Sequence, residues 1–117
     1  MGEYGMRVEN LVTISEEMVQ NFEAIFGKQI SLPPTFPMIF YRYIKVPWEY
    51  KAAPIHRKQS CVCHQELSIG ESYRCVVVLD QEMQKGKYTF YTQSLIGYDM
   101  KGNECFRCVS ELVVQLP

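Results

Sequence analysis

The sequence predicts an α+β fold in which one antiparallel sheet packs against a buried helix. Three segments in the second half of the chain alternate in polarity, as strands with one buried face do. Short turns separate these segments, which favours antiparallel neighbours. An earlier segment, 38–46, is apolar on nearly all sides, and such a helix is normally buried. We therefore expect a single domain over residues 1–117, with the helix lying on the sheet.

A first strand and a short helix are predicted near the N-terminus. Residues 4–14 are rich in Val, Ile and Thr, which suits a strand or an extended lead-in. Ser15 stands where an N-cap belongs, because its side-chain oxygen can accept from a backbone N–H of the first turn. Gly27 fits the left-handed residue that ends such a helix. Between them the apolar residues recur on one helical face, namely Met18, Val19, Phe22, Ile25 and Phe26.

A second helix is predicted to begin after Thr35 and to end before Pro47. Thr35 can cap it, and Pro37 is tolerated in the first turn because the N–H that it lacks has no helical partner there. Arg42 and Lys45 are its only charges. The aromatic and β-branched residues would also suit a strand. The Thr-x-Pro start and the length favour a helix, the one that a curved sheet would wrap.

The remainder of the chain is predicted to be β. Alternation and turn residues such as the Lys-Gly pair at 85–86 divide it into strands that follow one another closely. The expected arrangement is a meander of three or four strands. The predicted strands are 55–66, 72–82, 87–97 and 104–116.

Composition excludes several classes of function. The net charge is -1, and twelve Lys and Arg are scattered among thirteen Asp and Glu, so no basic stripe for nucleic acid is visible. No apolar run approaches the roughly 20 residues of a membrane span. The first residues do not resemble a signal peptide. We therefore expect a cytoplasmic protein, with no nucleic-acid or membrane partner, whose five cysteines are reduced.

The cysteines form two clusters that raise the possibility of zinc, Cys61-x-Cys63-His64 and Cys105-x-x-Cys108. Both clusters lie inside predicted strands, where Cys105 and Cys108 would point to opposite faces. A zinc site needs ligands that converge, and tight loops usually provide them. The geometry therefore favours cysteines packed in the protein over a metal site.

Several motifs, taken in order, resemble MaoC-like hot-dog proteins. The resemblance extends over residues 13–116 and is greatest for the N-terminal half of two-hot-dog forms and for the non-catalytic subunit of heterodimeric hydroxyacyl-carrier dehydratases. It departs from the family pattern at Cys63, where an aromatic is common, and at Glu66, where Pro is common. The motifs are Pro33-Pro34-Thr35-Phe36, His56, Gln59, Cys63-His64, Glu66-Leu67, Gly70-Glu71, Asp99 and Gly102.

The resemblance implies a hot-dog fold, in which an antiparallel sheet wraps around a central helix. It also implies binding of an acyl thioester, as in a 3-hydroxyacyl-CoA or acyl-carrier dehydratase (an enoyl hydratase) of fatty-acid metabolism. The only cofactor-like group would be the CoA or phosphopantetheine that the substrate carries. A hot-dog sheet has an open edge and a half-covered acyl tunnel, so we expect a homodimer or a heterodimer with a catalytic hot-dog subunit.

One part of the family pattern is missing. Active MaoC-like hydratases carry a Gly-Asp-x-Asn-Pro-x-His segment before the central helix, and its Asp and His move the protons. Residues 27–35 of this chain contain no acid and no His, and the only Asp residues are Asp80 and Asp99. The dyad therefore has no counterpart here. Catalysis, where it occurs, would need residues from a partner chain.

Two alternatives remain at this point. A self-sufficient hydratase or thioesterase would use His56 and His64, which share a face if their strand is regular, together with Glu66 or Glu49. Those side chains could equally be surface or packing residues. The third possibility is a non-enzymatic acyl-CoA scaffold or sensor.

The candidate substrate-binding residues are Tyr41, Trp48, Gln59 and Arg57. The aromatic cluster at and after the central helix could line an acyl channel, or it could form core and dimer interface. Nearby Lys and Arg residues could attract the phosphates of CoA or an acidic carrier protein, although a solvated rim is a common reason for such charges.

Overall fold

The computed structural model describes residues 6–28, 31–33, 35–50 and 52–115. Its five strands form one antiparallel sheet in the order β1-β3-β4-β5-β2, and two helices lie between β1 and β2 in sequence. This confirms the predicted α+β class and the sheet packed against a helix. The elements are β1 (Met6–Thr13), α1 (Glu16–Phe26), a 3-10 helix (Phe36–Arg42), β2 (Ile55–Cys63), β3 (Ser72–Lys85), β4 (Tyr88–Tyr98) and β5 (Glu104–Gln115).

Helix α1 begins and ends where the sequence predicts. The Ser15 hydroxyl oxygen accepts from the Met18 backbone N–H over 3.2 Å, and Gly27 has a φ of 85°. Met18 and Phe22 are buried, but Ile25 and Phe26 are 62% and 64% exposed. The apolar face of α1 is therefore only partly covered by the rest of the described chain.

The second helix differs from its prediction in type and length. It is a 3-10 helix that ends at Arg42, and Thr35 caps it with its backbone carbonyl, which accepts from Met38 N over 3.0 Å, rather than with its side chain. Pro37 and the aromatic and β-branched residues that follow are poor formers of a regular α-helix. The chain leaves the helix at Tyr43, so that Ile44 can be buried farther along.

The predicted meander of three or four strands is confirmed in its three-strand form, by β3, β4 and β5, and β2 is not part of it. β2 pairs with β5 at the edge opposite β1, not with β3. The reason lies in the loop after β2, which is tied to the end of β1. Gly70 N donates to Ile14 O over 2.8 Å, and Ile14 N donates to Glu71 O over 2.9 Å. The chain therefore passes from the β5 side of the sheet to the β1 side before it forms β3.

The face of the sheet that packs against the helices is called the inner face here, and the opposite one the outer face. A chain of aromatic rings joins α1 and the 3-10 helix to the inner face, with neighbouring ring centroids 5.2–5.9 Å apart. Its members are Phe22, Phe36, Phe40, Phe106 and Tyr73. In the part of the chain that the structure describes, neither helix is long and apolar enough to cross a membrane.

Alternation along β3 agrees with the sequence. Tyr73, Cys75, Val77 and Leu79 lie on the inner face and are fully buried, while Arg74 and Val78 lie on the outer face and are partly exposed. A β-bulge at Asp80 then shifts the register of β3 against β4.

Candidate functional site

A cavity of about 500 Å³ lies between α1, the 3-10 helix and β2. Its volume is within the range of about 300–1,000 Å³ that is usual for small-molecule sites. Most of its wall is apolar side chain contributed by the two helices. The described residues that line it are Met18, Asn21, Phe22, Ile25, Phe26, Thr35, Met38, Ile39, Arg42, Tyr43 and Gln59.

The mouth of this cavity is apolar and open to solvent. Met18 and Phe22 form a buried floor, whereas Ile25, Phe26 and Tyr43 are each about half or more exposed. Grouped, exposed apolar side chains mark a binding or interaction surface. The exposure of the two α1 residues is therefore explained by their position at the cavity.

Gln59 is the residue through which the sheet contributes to the cavity. It lies on the inner face of β2, directly opposite Ser110 of β5, which in turn lies opposite Gln93 of β4. These three residues form a polar row across an otherwise apolar face. Ser110 is 1% exposed, and its hydroxyl oxygen has no hydrogen-bond partner among the described residues.

The inner end of the polar row is well satisfied. The Gln93 side-chain oxygen accepts from Trp48 Nε1 over 3.2 Å and from the Tyr50 hydroxyl over 2.7 Å. Tyr41 lies close to Gln93, and burial raises the pKa of its phenol, an effect that the Gln93 amide opposes. The Tyr41 hydroxyl is buried without a hydrogen-bond partner in the described ranges. The polar row thus runs from Gln59 at the cavity to Gln93, whose side-chain oxygen is paired. Within the described residues, the hydroxyls of Ser110 in this row and of Tyr41 on the 3-10 helix have no hydrogen-bond partner.

The four predicted substrate-binding residues occupy different places. Gln59 lines the cavity, Tyr41 lies behind it, and Trp48 is buried in the core at 4% exposure. Arg57 instead stacks over the ring of Phe90, 5.4 Å from its centroid, on the outer face. Gln59 is therefore the one that the structure places at the cavity surface.

The three candidate catalytic residues do not come together. The register of β2 shifts between His56 and Lys58, and β2 ends at Cys63, so His56 and His64 do not share the face of a regular strand. Both are exposed. Glu66 lines a separate groove of about 380 Å³ beside α1, and no hydrogen bond joins it to either histidine in the described part of the chain.

His64 has an acidic partner that the sequence analysis missed. Its Nε2 lies 2.9 Å from Glu104 Oε2, and Arg107 Nη2 lies 2.7 Å from Glu104 Oε1. Arg107 first, and His64 second, lower the pKa of the Glu104 carboxyl to about 2. The group is partly exposed and does not line the cavity. His64 and Glu104 come together because β2 pairs with β5. This pairing is a tertiary contact, so the local sequence does not reveal it.

The described part of the cavity wall carries no acidic or imidazole side chain. None of the described lining residues is Asp, Glu or His. Among the described residues as a whole, no three His, Cys, Asp or Glu side chains converge as a metal site requires. The polar groups at the cavity are amides, hydroxyls and the Arg42 guanidinium, which can bind and orient a ligand but are poor groups for proton transfer at neutral pH.

No protein-family model matches the sequence. No curated protein matches it either. Solved structures do match over almost the whole chain. The HadBC (3R-hydroxyacyl-ACP dehydratase) complex from Mycobacterium tuberculosis matches with a TM-score of 0.72 at 13% identity, covering 97% of this chain and 98% of that chain. A MaoC-like dehydratase from Rhodospirillum rubrum gives 0.68 at 9% identity, with coverage of 99% and 94%. An (R)-hydratase from A. caviae involved in PHA biosynthesis gives 0.66 at 16%, with coverage of 99% and 98%.

The chain has the hot-dog fold. The strand order and the aromatic contacts between the 3-10 helix and the inner face agree with that assignment, and the fold predicted from the sequence motifs is confirmed. The central helix of this hot-dog domain is short, at seven residues. At identities of 9–16% the similarity establishes the fold and leaves the activity to be argued from the site.

Proposed function

We propose that the chain is a MaoC-like hot-dog protein that binds the acyl group of a CoA or carrier-protein thioester without a catalytic dyad of its own. One observation carries the proposal: an open apolar cavity whose described lining holds no Asp, Glu or His. Hydration of an enoyl thioester needs a base that takes a proton from water and an acid that protonates the carbon beside the carbonyl. The described lining of this cavity offers walls for the acyl chain and no such groups.

The lining residues divide into two roles. Apolar side chains of α1 and the 3-10 helix, such as Phe22 and Ile39, would enclose the acyl chain by removing it from water. Gln59 would offer neutral donors and an acceptor to the polar part of the ligand. Arg42, exposed on the 3-10 helix, would attract the phosphates of CoA or an acidic carrier protein. The similar solved structures are hydratases and dehydratases, among them a 3R-hydroxyacyl-ACP dehydratase, and this supports the choice of a thioester.

A second hot-dog chain would complete this site. Within the described residues β2 pairs only with β5, and its side chains are mostly exposed. An open edge strand readily accepts a strand from another chain. We propose that a homologous hot-dog subunit, a copy of this chain or a different chain bearing the missing Asp and His, docks at this edge in the cytoplasm. HadBC, one of the similar solved structures, is itself a complex, which supports a partner subunit.

Ligand binding can be tested with a matched pair of surface variants. Ile25 lines the cavity at 62% exposure, and Ile69 lies outside it at 51% exposure. Octanoyl-CoA at one hundred times its dissociation constant should stabilise the wild-type fold by about 2.7 kcal/mol. Ile25→Glu should lose most of that thermal shift, and Ile69→Glu should keep it. Equal shifts in both variants, or none in the wild type, would rule out the cavity as the acyl site.

Catalysis is tested separately with crotonyl-CoA. We expect the purified chain alone to show no hydration above background. Adding a hot-dog chain that carries the Asp/His segment and forms a stable complex with it should restore turnover. Full activity of the isolated chain would refute the subunit proposal. Acyl-CoA stabilisation with no turnover in any complex would instead identify a scaffold or sensor.

A self-sufficient enzyme is the second candidate, and the His64–Glu104 contact favours it. A carboxylate 2.9 Å from an imidazole can hold that ring as an acid or base. On this view His64→Ala and Glu104→Gln would both abolish hydration or thioester hydrolysis by the isolated chain, while His56→Ala would not. Unchanged rates in His64→Ala would remove this candidate.

A further inference from the structure

Two cysteines lie directly opposite each other in the sheet. Cys61 of β2 and Cys108 of β5 are register partners. His64 N donates to Cys105 O over 2.8 Å, which makes that pair hydrogen-bonded. Hydrogen-bonded and non-hydrogen-bonded pairs alternate along an antiparallel ladder, so Cys61 and Cys108, three positions away, form a non-hydrogen-bonded pair.

This position has the geometry of a cross-strand disulfide. Non-hydrogen-bonded partners have Cα atoms about 4.5 Å apart and their side chains close together. Disulfides span Cα separations of about 4.4–6.8 Å. Cys61 and Cys108 also share the inner face, because partners across a ladder point the same way. Cysteines at such a separation can be bridged without moving the backbone.

The two thiols have different access to solvent. Cys108 is fully buried, and Cys61 is half-buried on the edge strand. Burial, followed by a hydrogen bond with the Cys61 thiol, raises the pKa of Cys108. An oxidant from solution would therefore meet Cys61 first, with Cys108 already in contact behind it.

The other three cysteines are worse partners. Cys63 is two residues from Cys61 on one strand, about 6.7 Å away along the chain. Cys75 lies on β3, separated from β5 by β4, and so about 10 Å from Cys108 across the sheet. Cys105 is engaged elsewhere, since its sulfur accepts from Gln65 Nε2 over 2.9 Å. None of these five cysteines is in a disulfide in this structure.

We propose that Cys61 and Cys108 form a reversible intramolecular disulfide when hydrogen peroxide reaches the protein. The Cys61 thiolate attacks a peroxide oxygen, the O–O bond breaks, and Cys61 becomes a sulfenic acid while hydroxide leaves and takes up a proton. The Cys108 sulfur then attacks the Cys61 sulfur. An S–S bond forms, the S–O bond breaks, and the Cys108 proton leaves with the hydroxyl as water. Peroxide is reduced to two waters, and a thiol reductant reverses the bond.

The bond would fix the edge of the sheet beside the candidate site. Cys61 is on the same face as Gln59 and one inward-facing position along β2. Cross-linking β2 to β5 removes conformations in which the edge strand separates, and it closes a long loop of the unfolded chain. Oxidation should therefore stabilise the fold and hold the cavity wall at Gln59 in place.

Tryptic mapping tests the proposal directly. Cleavage after Lys58, Arg74 and Arg107 places Cys61 in peptide 59–74 and Cys108 in peptide 108–117, while Cys105 falls in 102–107. After treatment with peroxide and blocking of free thiols, we expect non-reduced peptide 59–74 joined to 108–117, in protein whose intact mass is that of one chain. Dithiothreitol should separate the two peptides.

Peptide 59–74 contains both Cys61 and Cys63, and two variants show which of them forms the cross-link. Cys63→Ser should keep the cross-link and the rise in melting temperature on oxidation, and Cys61→Ser should lose both. Both substitutions are at half-buried positions on the edge strand, so both variants are expected to fold. A cross-link that persists in Cys61→Ser, a link to another peptide, a link between two chains, or no link at any peroxide dose would overturn the proposal.

Discussion

Gly97 on β4 lies directly under the ring of Phe106, and replacing it with alanine tests how tightly the core is packed. A Cβ atom at Gly97 would lie 2.0 Å from Phe106 Cε2 and 2.1 Å from Cζ. Carbon atoms in contact are normally about 3.5–4.0 Å apart. The ring has little room to move, because it packs against Phe40 and Tyr73 with centroids 5.5 and 5.7 Å away. Gly97→Ala must therefore displace the ring or the strand.

The expected loss in the free energy of unfolding combines a destabilising effect on the folded core and a smaller stabilising effect through the unfolded chain. Forcing an extra methyl group into a packed core costs about 1–3 kcal/mol, and this overlap belongs at the upper end. Gly97 is not among the described glycines with positive φ, so alanine can adopt its backbone conformation. Alanine also has fewer conformations than glycine in the unfolded chain, which offsets up to about 1 kcal/mol of the loss. The net loss is about 2 kcal/mol. With an unfolding entropy of about 0.25 kcal/mol/K for a chain of this length, the melting temperature should fall by about 8 °C.

A double-mutant cycle decides whether the ring is the cause. Thermal and urea unfolding, followed by circular dichroism, would be measured for wild type, Gly97→Ala, Phe106→Leu and the double variant. Leucine lacks the Cε2 and Cζ atoms with which the new methyl group overlaps most. In the Phe106→Leu background the cost of Gly97→Ala should fall by at least half. An equal cost in both backgrounds would refute this account of the packing.

Two further predictions concern the polar groups. Hydrogen bonds from Arg107 and then from His64 lower the folded-state pKa of Glu104 from 4.5 to about 2. The Glu104 charge therefore stabilises the fold above about pH 4.5, and that contribution is lost as the pH falls towards 2. In urea unfolding, Glu104→Gln should lower the free energy of unfolding by about 1 kcal/mol at neutral pH and should have no effect near pH 2. The effect is small because the ion pair is partly exposed. A loss that does not change with pH would contradict this prediction. Gln93→Leu should cost about 2 kcal/mol, because it removes the oxygen that accepts from Trp48 and Tyr50. It should also shift the fluorescence of Trp48, the only tryptophan. Gln81→Leu, at an exposed position, is the control, and equal losses in the two variants would count against the assignment.

Local features of the fold are those that the sequence predicts well. Ser15 and Gly27 bound α1 because capping depends on a few adjacent residues. Strand alternation is visible because one face of the sheet is buried. The second helix is different: its apolar composition predicts burial correctly, but the choice between an α-helix and a 3-10 helix depends on packing against the sheet. The position of β2 depends on contacts of the following loop with Ile14.

The candidate site is predictable only in part, because it too depends on which strands and helices come together in the fold. Gln59 belongs to a recognisable motif, and it does line the cavity. Ser110 and Gln93 look like ordinary residues of alternating strands, and their importance comes from lying in line with Gln59 across three strands. Ile25 and Phe26 have the spacing of a core face, so the sequence alone gives no sign that they surround an opening.

The order of strands has a consequence for how this protein is made. β2 precedes β3 and β4 in the chain, yet its partner within the described sheet is β5, the last strand. A ribosome would release β2 long before the segment that can receive it exists. Until β5 is synthesised, the backbone N–H and C=O groups of β2 lack their strand partner, and chaperones or neighbouring nascent chains can bind this segment. A truncation that removes β5 would therefore also leave β2 without its partner in the described sheet.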